Sequence, residues 1–232
     1  MRYSRDDETP NDELPMKTDQ IIDNLAAALA PVRVLRPPAV RALLWLAVVG
    51  VVSAALILRF TQWGAILPRL QTPRVALETA ATALTAITAT IAAFELSIPD
   101  RSPRWAWLPV PTLLVWLAAS GLGCLTNGLG THGADGPMGE SAHCFVFITG
   151  ASVPLAIGLF WMLRRARPLD ALPVAAIGTL GVAATSAFVL QFFHPFDVTV
   201  IDLALHLAAI GLVVLIGTAL RRPLLDASGD QR

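Results

Sequence analysis

The stretch Ala42-Leu-Leu-Trp-Leu-Ala-Val-Val-Gly-Val-Val-Ser-Ala-Ala-Leu-Ile-Leu58 carries no charged side chain, and arginines stand at both its ends, Arg41 and Arg59. A bilayer core of about 30 Å is crossed by roughly 20 apolar residues in a helix. This segment, with a residue or two at each end, meets that length. Five more do so, and together the six predicted spans cover residues 42–58, 75–94, 105–125, 145–163, 172–192 and 200–220. Hydrophobic residues make up 55% of the 232-residue chain against 15% charged. A water-soluble domain of that size cannot hide so much apolar surface, so lipid is its main solvent. The expected fold class is all-α: a polytopic membrane protein of six transmembrane helices.

Outward from the spans, composition predicts which of them lie centrally. Spans two and five are rich in Ala, Thr and Gly, small residues that let helices approach where apolar burial gives no drive for association. They belong near the middle of the bundle. Pro111 and Pro154 fall inside spans three and four and predict kinks. The basic residues set the orientation, because Lys and Arg near span ends stay on the cytoplasmic side. Lys17, Arg33, Arg36 and Arg41, then Arg101 and Arg104, Arg164, Arg165 and Arg167, and finally Arg221 and Arg222 all fall on one side. The other side has Arg59, Arg69 and Arg74 in its first connection and no base in its next two. Both termini are therefore expected inside, in a bacterial inner membrane. Glu78 is expected to pair with Arg74 one turn away, and Glu95, near the inner boundary, to reach water.

Residues 1–15 are polar and proline-bearing, a composition that builds no core and predicts disorder; Met16 is an alternative start. No secretory signal peptide is expected. Residues 16–40 form a cytoplasmic helix and linker, residues 41–222 the transmembrane domain, and residues 223–232 a cytoplasmic tail. In the helix, Thr18 is the N-cap, Asp19 favours the positive dipole end and Pro31 is the stop. Ile21, Ile22, Leu25 and Leu29 recur at helical spacing on one face. Two readings stand: a helix lying on the membrane surface, which ordinarily has a basic polar face rather than this acidic one, or a helix that docks in a partner's groove.

Every cysteine and histidine falls on the outer half: Cys124 ending span three, His132 in the loop, His143 and Cys144 opening span four, His194 after span five and His206 in span six. Cys144 at a helix N-terminus predicts the more reactive thiol, since the dipole there favours thiolate. A Cys124–Cys144 disulfide is one outcome. A metal ion held by His143, Cys144, His194 and His206, with Asp202 four residues before His206 orienting its ring, is another. The same residues also have structural readings, as small packing groups, caps or interhelical hydrogen bonds. The chain has no catalytic motif of the hydrolase, zinc-protease, Walker or dinucleotide kind, so it is not expected to be an enzyme. It also lacks the basic surface that contacts nucleic acid directly.

The opening Met16-Lys-Thr-Asp-Gln-Ile-Ile-Asp-Asn-Leu25, then Pro31-Val-Arg-Val-Leu-Arg-Pro-Pro38 and Arg41-Ala-Leu-Leu-Trp-Leu46, resembles the NrsF family of bacterial six-span anti-sigma factors. Ser97-Ile-Pro-Asp-Arg-Ser-Pro-Arg-Trp105, Gly123-Cys124, Ser141-Ala-His-Cys144 and His206 extend the likeness. The resemblance implies that the inner helix and short inner loops sequester an extracytoplasmic-function sigma factor. It further implies that a periplasmic stress signal, redox or metal, releases it. The chain departs from the family at His194-Pro195, where a Cys-Pro pair usually opens the last outer loop, so a disulfide from Cys144 to that loop is out of reach. Two other classes compete: a membrane oxidoreductase passing electrons between thiols and quinone, which needs a second shuttling dithiol, and a small transporter with Glu78, Asp202 and His206 along its path.

Overall fold

A computed structural model of the protein describes residues 18–27, 35–126, 139–193 and 200–225. Leu29, His132, His194, the extension 1–15 and the last residues 226–232 lie outside the described residues, as do the side chains of Cys124 and Asp202. The described chain is all-α, without strands. It divides into two units, residues 1–34 and 35–232. The first contributes one described helix, α1 (Thr18–Ala27).

The second unit contains α2 (Pro38–Phe60), α3 (Trp63–Leu70), α4 (Pro73–Leu96), α5 (Val110–Thr126), α6 (Gly139–Leu163), α7 (Ala171–Leu190), α8 (Val200–Ala219) and α9 (Arg221–Leu225). Short 3₁₀ turns at Pro103–Trp107 and Arg164–Ala166 join α4 to α5 and α6 to α7. Helix starts follow local chemistry. Pro38 and Pro73 open α2 and α4, where a missing N–H costs nothing. Asp170 accepts from the Leu172 amide at 3.3 Å to begin α7. Arg167, with φ 48°, makes the left-handed corner before it.

Five helical segments are long and apolar enough to cross a membrane: 38–60, 73–96, 103–123, 143–166 and 171–190. The sixth predicted span is helical over Val200–Ala219, and its described apolar part, Leu203–Ala219, is shorter than a full crossing. The exposed residues of α2 include Leu43, Val48, Val51, Val52 and Leu58, an apolar surface suited to contact with lipid.

The expected central pair is the observed one. The membrane-length windows of α7 and α4 are 61% and 44% buried, against 11% for α2 and 28% for both α5 and α6, and α4 packs most extensively on α7. Gly181 makes this approach possible: a Cβ there would lie 3.2 Å from the Thr90 backbone nitrogen. Buried threonines turn their hydroxyls onto their own helix, Thr85 to the Ala81 carbonyl at 2.8 Å and Thr179 to that of Ala175 at 2.7 Å. A hydroxyl satisfied in this way needs no partner across the interface. Ser152 and Ser186 do bond across α6 and α7, at 3.1 Å.

The core forms two clusters, one at each end of the antiparallel bundle. At the end bearing Arg41, Ala42, Phe94, Leu159, Leu163, Val174 and Leu225 pack together. At the end bearing Arg74, the cluster includes Ala81, Trp116, Cys144, Ile148, Ala187 and Ala209.

Two expectations need correction. The third span is present over 103–123, beginning as a 3₁₀ turn before α5 starts at Val110. Pro111 is therefore the second residue of a helix, where it displaces no hydrogen bond and kinks nothing. Glu95 does not reach water; it is 6% exposed and pairs with Arg101 at 3.0 Å. Beyond these, the connection holding Arg59 to Arg74 contains a helix, α3, anchored by buried Ile66.

Candidate functional site

Helix α1 is the simplest candidate. Its polar face holds Asp19, Asp23 and Asn24, and no residue of it is buried. Ile21, Ile22 and Leu25 are 39%, 56% and 64% exposed. Ile21 and Leu25 are four residues apart and Ile22 and Leu25 three, so they share one face. A ten-residue helix with a bare apolar stripe is marginal alone in water. Such a stripe is suited to burial against another surface.

The second candidate lies at the Arg74 end, where Arg74 and Glu78 form the expected ion pair, 3.4 Å apart. The pair is part of something larger. Glu78 is only 8% exposed, and Ser120 of α5 donates to its Oε1 at 2.7 Å. The Arg74 guanidinium lies where a Cβ on residue 123 would sit, so a side chain there would displace it. One helical turn on from Glu78, Thr82 accepts from Gln191 Nε2 at 3.1 Å. Glu78, Trp116, Ser120, Gln191 and His206 line a cavity of about 50 Å³ between α4, α5, α7 and α8. Sequence reading singled out Glu78 and His206 and missed Trp116, Ser120 and Gln191. An uncharged Gln at the end of an apolar span was the available signal.

The cysteine and histidine set is only partly assembled. Cys144 is 1% exposed in the core cluster with Trp116 and Ile148. Helix α6 starts at Gly139, which puts Cys144 in its second turn rather than at its end. The dipole acts mainly on the first turn, so the argument for a thiolate there weakens. His143 is exposed, and His206 is half-buried at the cavity. Cys124 belongs to the last turn of α5. Among the described residues, no three His, Cys, Asp or Glu side chains come together as a metal site would require.

At the opposite end, Arg41 is 5% exposed. Its guanidinium donates to the Met162 carbonyl and lies 5.2 Å from the centre of the Phe94 ring. Arg165 stacks 3.9 Å over Trp161 nearby.

A family model described as NrsF, negative regulator of sigma F, matches residues 25–226. The match takes in all helices of the second unit and begins at Leu25, leaving Ile21 and Ile22 outside it. No curated protein and no solved structure matches the chain.

Proposed function

The chain belongs to the NrsF family, and on that premise we propose that it is a membrane-bound anti-sigma factor acting by binding rather than by catalysis. Its partner on this reading is a sigma factor of the extracytoplasmic-function class. The bundle crosses the inner membrane six times with both termini in the cytoplasm, and α1 holds the sigma factor there. The observation that carries this reading is the uncovered stripe Ile21, Ile22 and Leu25, continued in sequence by Leu29. The family description supports it by naming a sigma factor as the regulated protein.

The outer end receives the signal. Cys144, buried in a core cluster to which α4, α5, α7 and α8 also contribute, sits where oxidation or a bound metal ion disturbs the packing of the helices. A disulfide to Cys124 is permitted in an oxidising compartment. A metal drawing on His143, Cys144, His194 and His206, with Asp202 behind His206, requires these side chains to move together, since no three of the described ones meet. Release then requires the outer event to shift the inner one, a coupling typically worth about 1–3 kcal/mol. The direct test is co-purification of the full chain with each extracytoplasmic-function sigma factor of the same genome. Failure of the chain to associate with any of them, in membranes or in detergent, overturns the reading.

A further inference from the structure

Positive charge gathers where α2 meets α6 at the Arg41 end. Arg41 is buried with its guanidinium on the Met162 carbonyl and the Phe94 ring, and Arg165 stands near enough to repel it. Arg164, Arg165 and Arg167 are exposed. Among the described residues no carboxylate pairs with any of these four arginines. The acids of the same end are committed elsewhere. Glu95 pairs with Arg101, Asp170 caps α7, and Asp100 shares its connection with Arg101 and Arg104.

Arg165 is also held in place. Its guanidinium lies 3.9 Å over the ring of Trp161, an attraction that fixes its orientation. The N–H donors of a guanidinium point along its own plane, so a ring against one face leaves them open to an acceptor. An apolar strip continues from the ring into the span. Trp161, Ile157 and Val153 follow at four-residue steps along α6, each exposed. The Trp45 ring of α2 lies where a Cβ on Gly158 would sit, so the strip runs beside α2. From Trp161 to Val153 the helix rises about 12 Å, most of the roughly 15 Å that is half of a bilayer core. A guanidinium at the edge of a span, above an exposed strip nearly one leaflet deep, has the outline of a phospholipid.

We propose that Arg165 and Trp161, with Arg164 beside them, form a binding site for an anionic phospholipid seated on α6 at its border with α2. The phosphate takes paired N–H bonds from Arg165, a geometry that a planar guanidinium supplies and an ammonium does not. The lipid's net negative charge offsets the Arg41 charge behind it. A zwitterionic lipid does this less well, because its own cation lies beside its phosphate. One acyl chain lies along Ile157 and Val153. The site rests on the reading of the bundle as membrane-spanning and not on the sigma-factor reading.

The test uses the full chain purified in mixed micelles of a neutral detergent, titrated with dioctanoylphosphatidylglycerol while thermal unfolding is followed. Dioctanoylphosphatidylcholine and inorganic phosphate are the comparison ligands, the first a lipid without net charge and the second an anion without acyl chains. A saturable rise in unfolding temperature is expected with the glycerol lipid at concentrations where neither comparison ligand gives one. Arg165→Gln should weaken half-saturation about fivefold or more, the contribution typical of one base beside an anionic lipid surface. Trp161→Leu, which keeps an apolar surface but frees the guanidinium, should weaken it by a smaller factor. Arg222→Gln, at an exposed base of α9, should leave it within about twofold. If Arg165→Gln does not fold, Trp161→Leu decides. No saturation, equal responses to both lipids, or saturation by inorganic phosphate overturns the proposal. So does unchanged affinity in Arg165→Gln, or an equal loss in Arg222→Gln, which means diffuse charge attraction only. Extraction of the chain from membranes by alkaline carbonate, measured first, would sink the membrane reading and the site with it. Failure of the lipid titration alone leaves the membrane reading standing.

Discussion

The guanidinium of Arg41, in the first turn of α2, donates a hydrogen bond to the carbonyl of Met162 in the last turn of α6. Two helix ends 121 residues apart in sequence are thereby tied beneath the Phe94 ring. Arg41 is also the first buried charge after the linker from α1, which places it on the covalent route between the proposed sigma-binding helix and the bundle. Arg41→Ala should lower bundle stability by about 1–3 kcal/mol, since it leaves a buried carbonyl unpaired. Arg41→Lys should recover part of this, because an ammonium still donates but does not stack on Phe94 as a planar guanidinium does. Thermal unfolding in detergent measures both, and an Arg41→Ala midpoint equal to the parent's would show the tie to be without weight.

The apolar stripe of α1 predicts a specific loss. Burying a leucine contributes about 1.5–3 kcal/mol, and Leu25 is the most exposed member of the stripe. Leu25→Asp should therefore weaken sigma-factor binding roughly tenfold to a hundredfold while membrane insertion is unchanged. Asn24→Asp, on the polar face, should leave affinity within about twofold. Pull-down from detergent extracts scores the pair, and equal retention by both variants would move the contact elsewhere.

The proposed topology rests on charge placement and can be read by labelling. In a background with Cys124 and Cys144 replaced by serine, Gln71→Cys between α3 and α4 should react with a membrane-impermeant maleimide in intact cells. Asp100→Cys and Ala166→Cys, in the connections at the opposite end, should react only after lysis. Labelling of Ala166→Cys in intact cells would invert the assignment.

The proposed outer sensor predicts selective deafness. With a sigma-dependent reporter, Cys144→Ser should lose the response to thiol oxidants, and His206→Ala the response to thiophilic or imidazole-binding metals. Cys144 packs at 1% exposure, so Cys144→Ser also tests the core. Cys144→Ala, which keeps an apolar side chain there, separates lost packing from lost chemistry. Responses equal to the parent's in all three variants would make these residues structural.

Close packing of α7 on α8 predicts a rescue. The side chain of Thr179 occupies the space where a Cβ on Gly217 would sit, and its rotamer is held by the hydroxyl's bond to the Ala175 carbonyl. Gly217→Ala should cost about 1–3 kcal/mol by overpacking. Adding Thr179→Ser, which removes the colliding methyl but keeps the hydroxyl, should return much of it. Additive losses in the double variant would show that the two side chains do not meet.

Legibility in the sequence divides along a physical line. Hydropathy is a local property summed over about 20 residues, so the helical segments and their lengths stood in the sequence near their observed positions. Small-residue content is equally local, and it placed spans two and five, the observed α4 and α7, at the centre of the bundle. The Arg74–Glu78 pair was legible because four residues on a helix are one turn. What runs between helices was not. Ser120 meets Glu78 across 42 positions, Gln191 meets Thr82 across 109 and Arg41 meets Met162 across 121. No periodicity along the chain encodes such separations. Glu95 was misjudged for the same reason: nearness to a span's end says nothing about which neighbours cover it. The start of α6 at Gly139 likewise moved Cys144 inward, because hydropathy marks where lipid contact begins and not where a helix does. Sequence alone determined an all-α chain rich in membrane-length helices. Only the packing of those helices decided which polar groups are buried together, since hydrogen bonds and ion pairs act over a few ångströms in space whatever their distance along the chain.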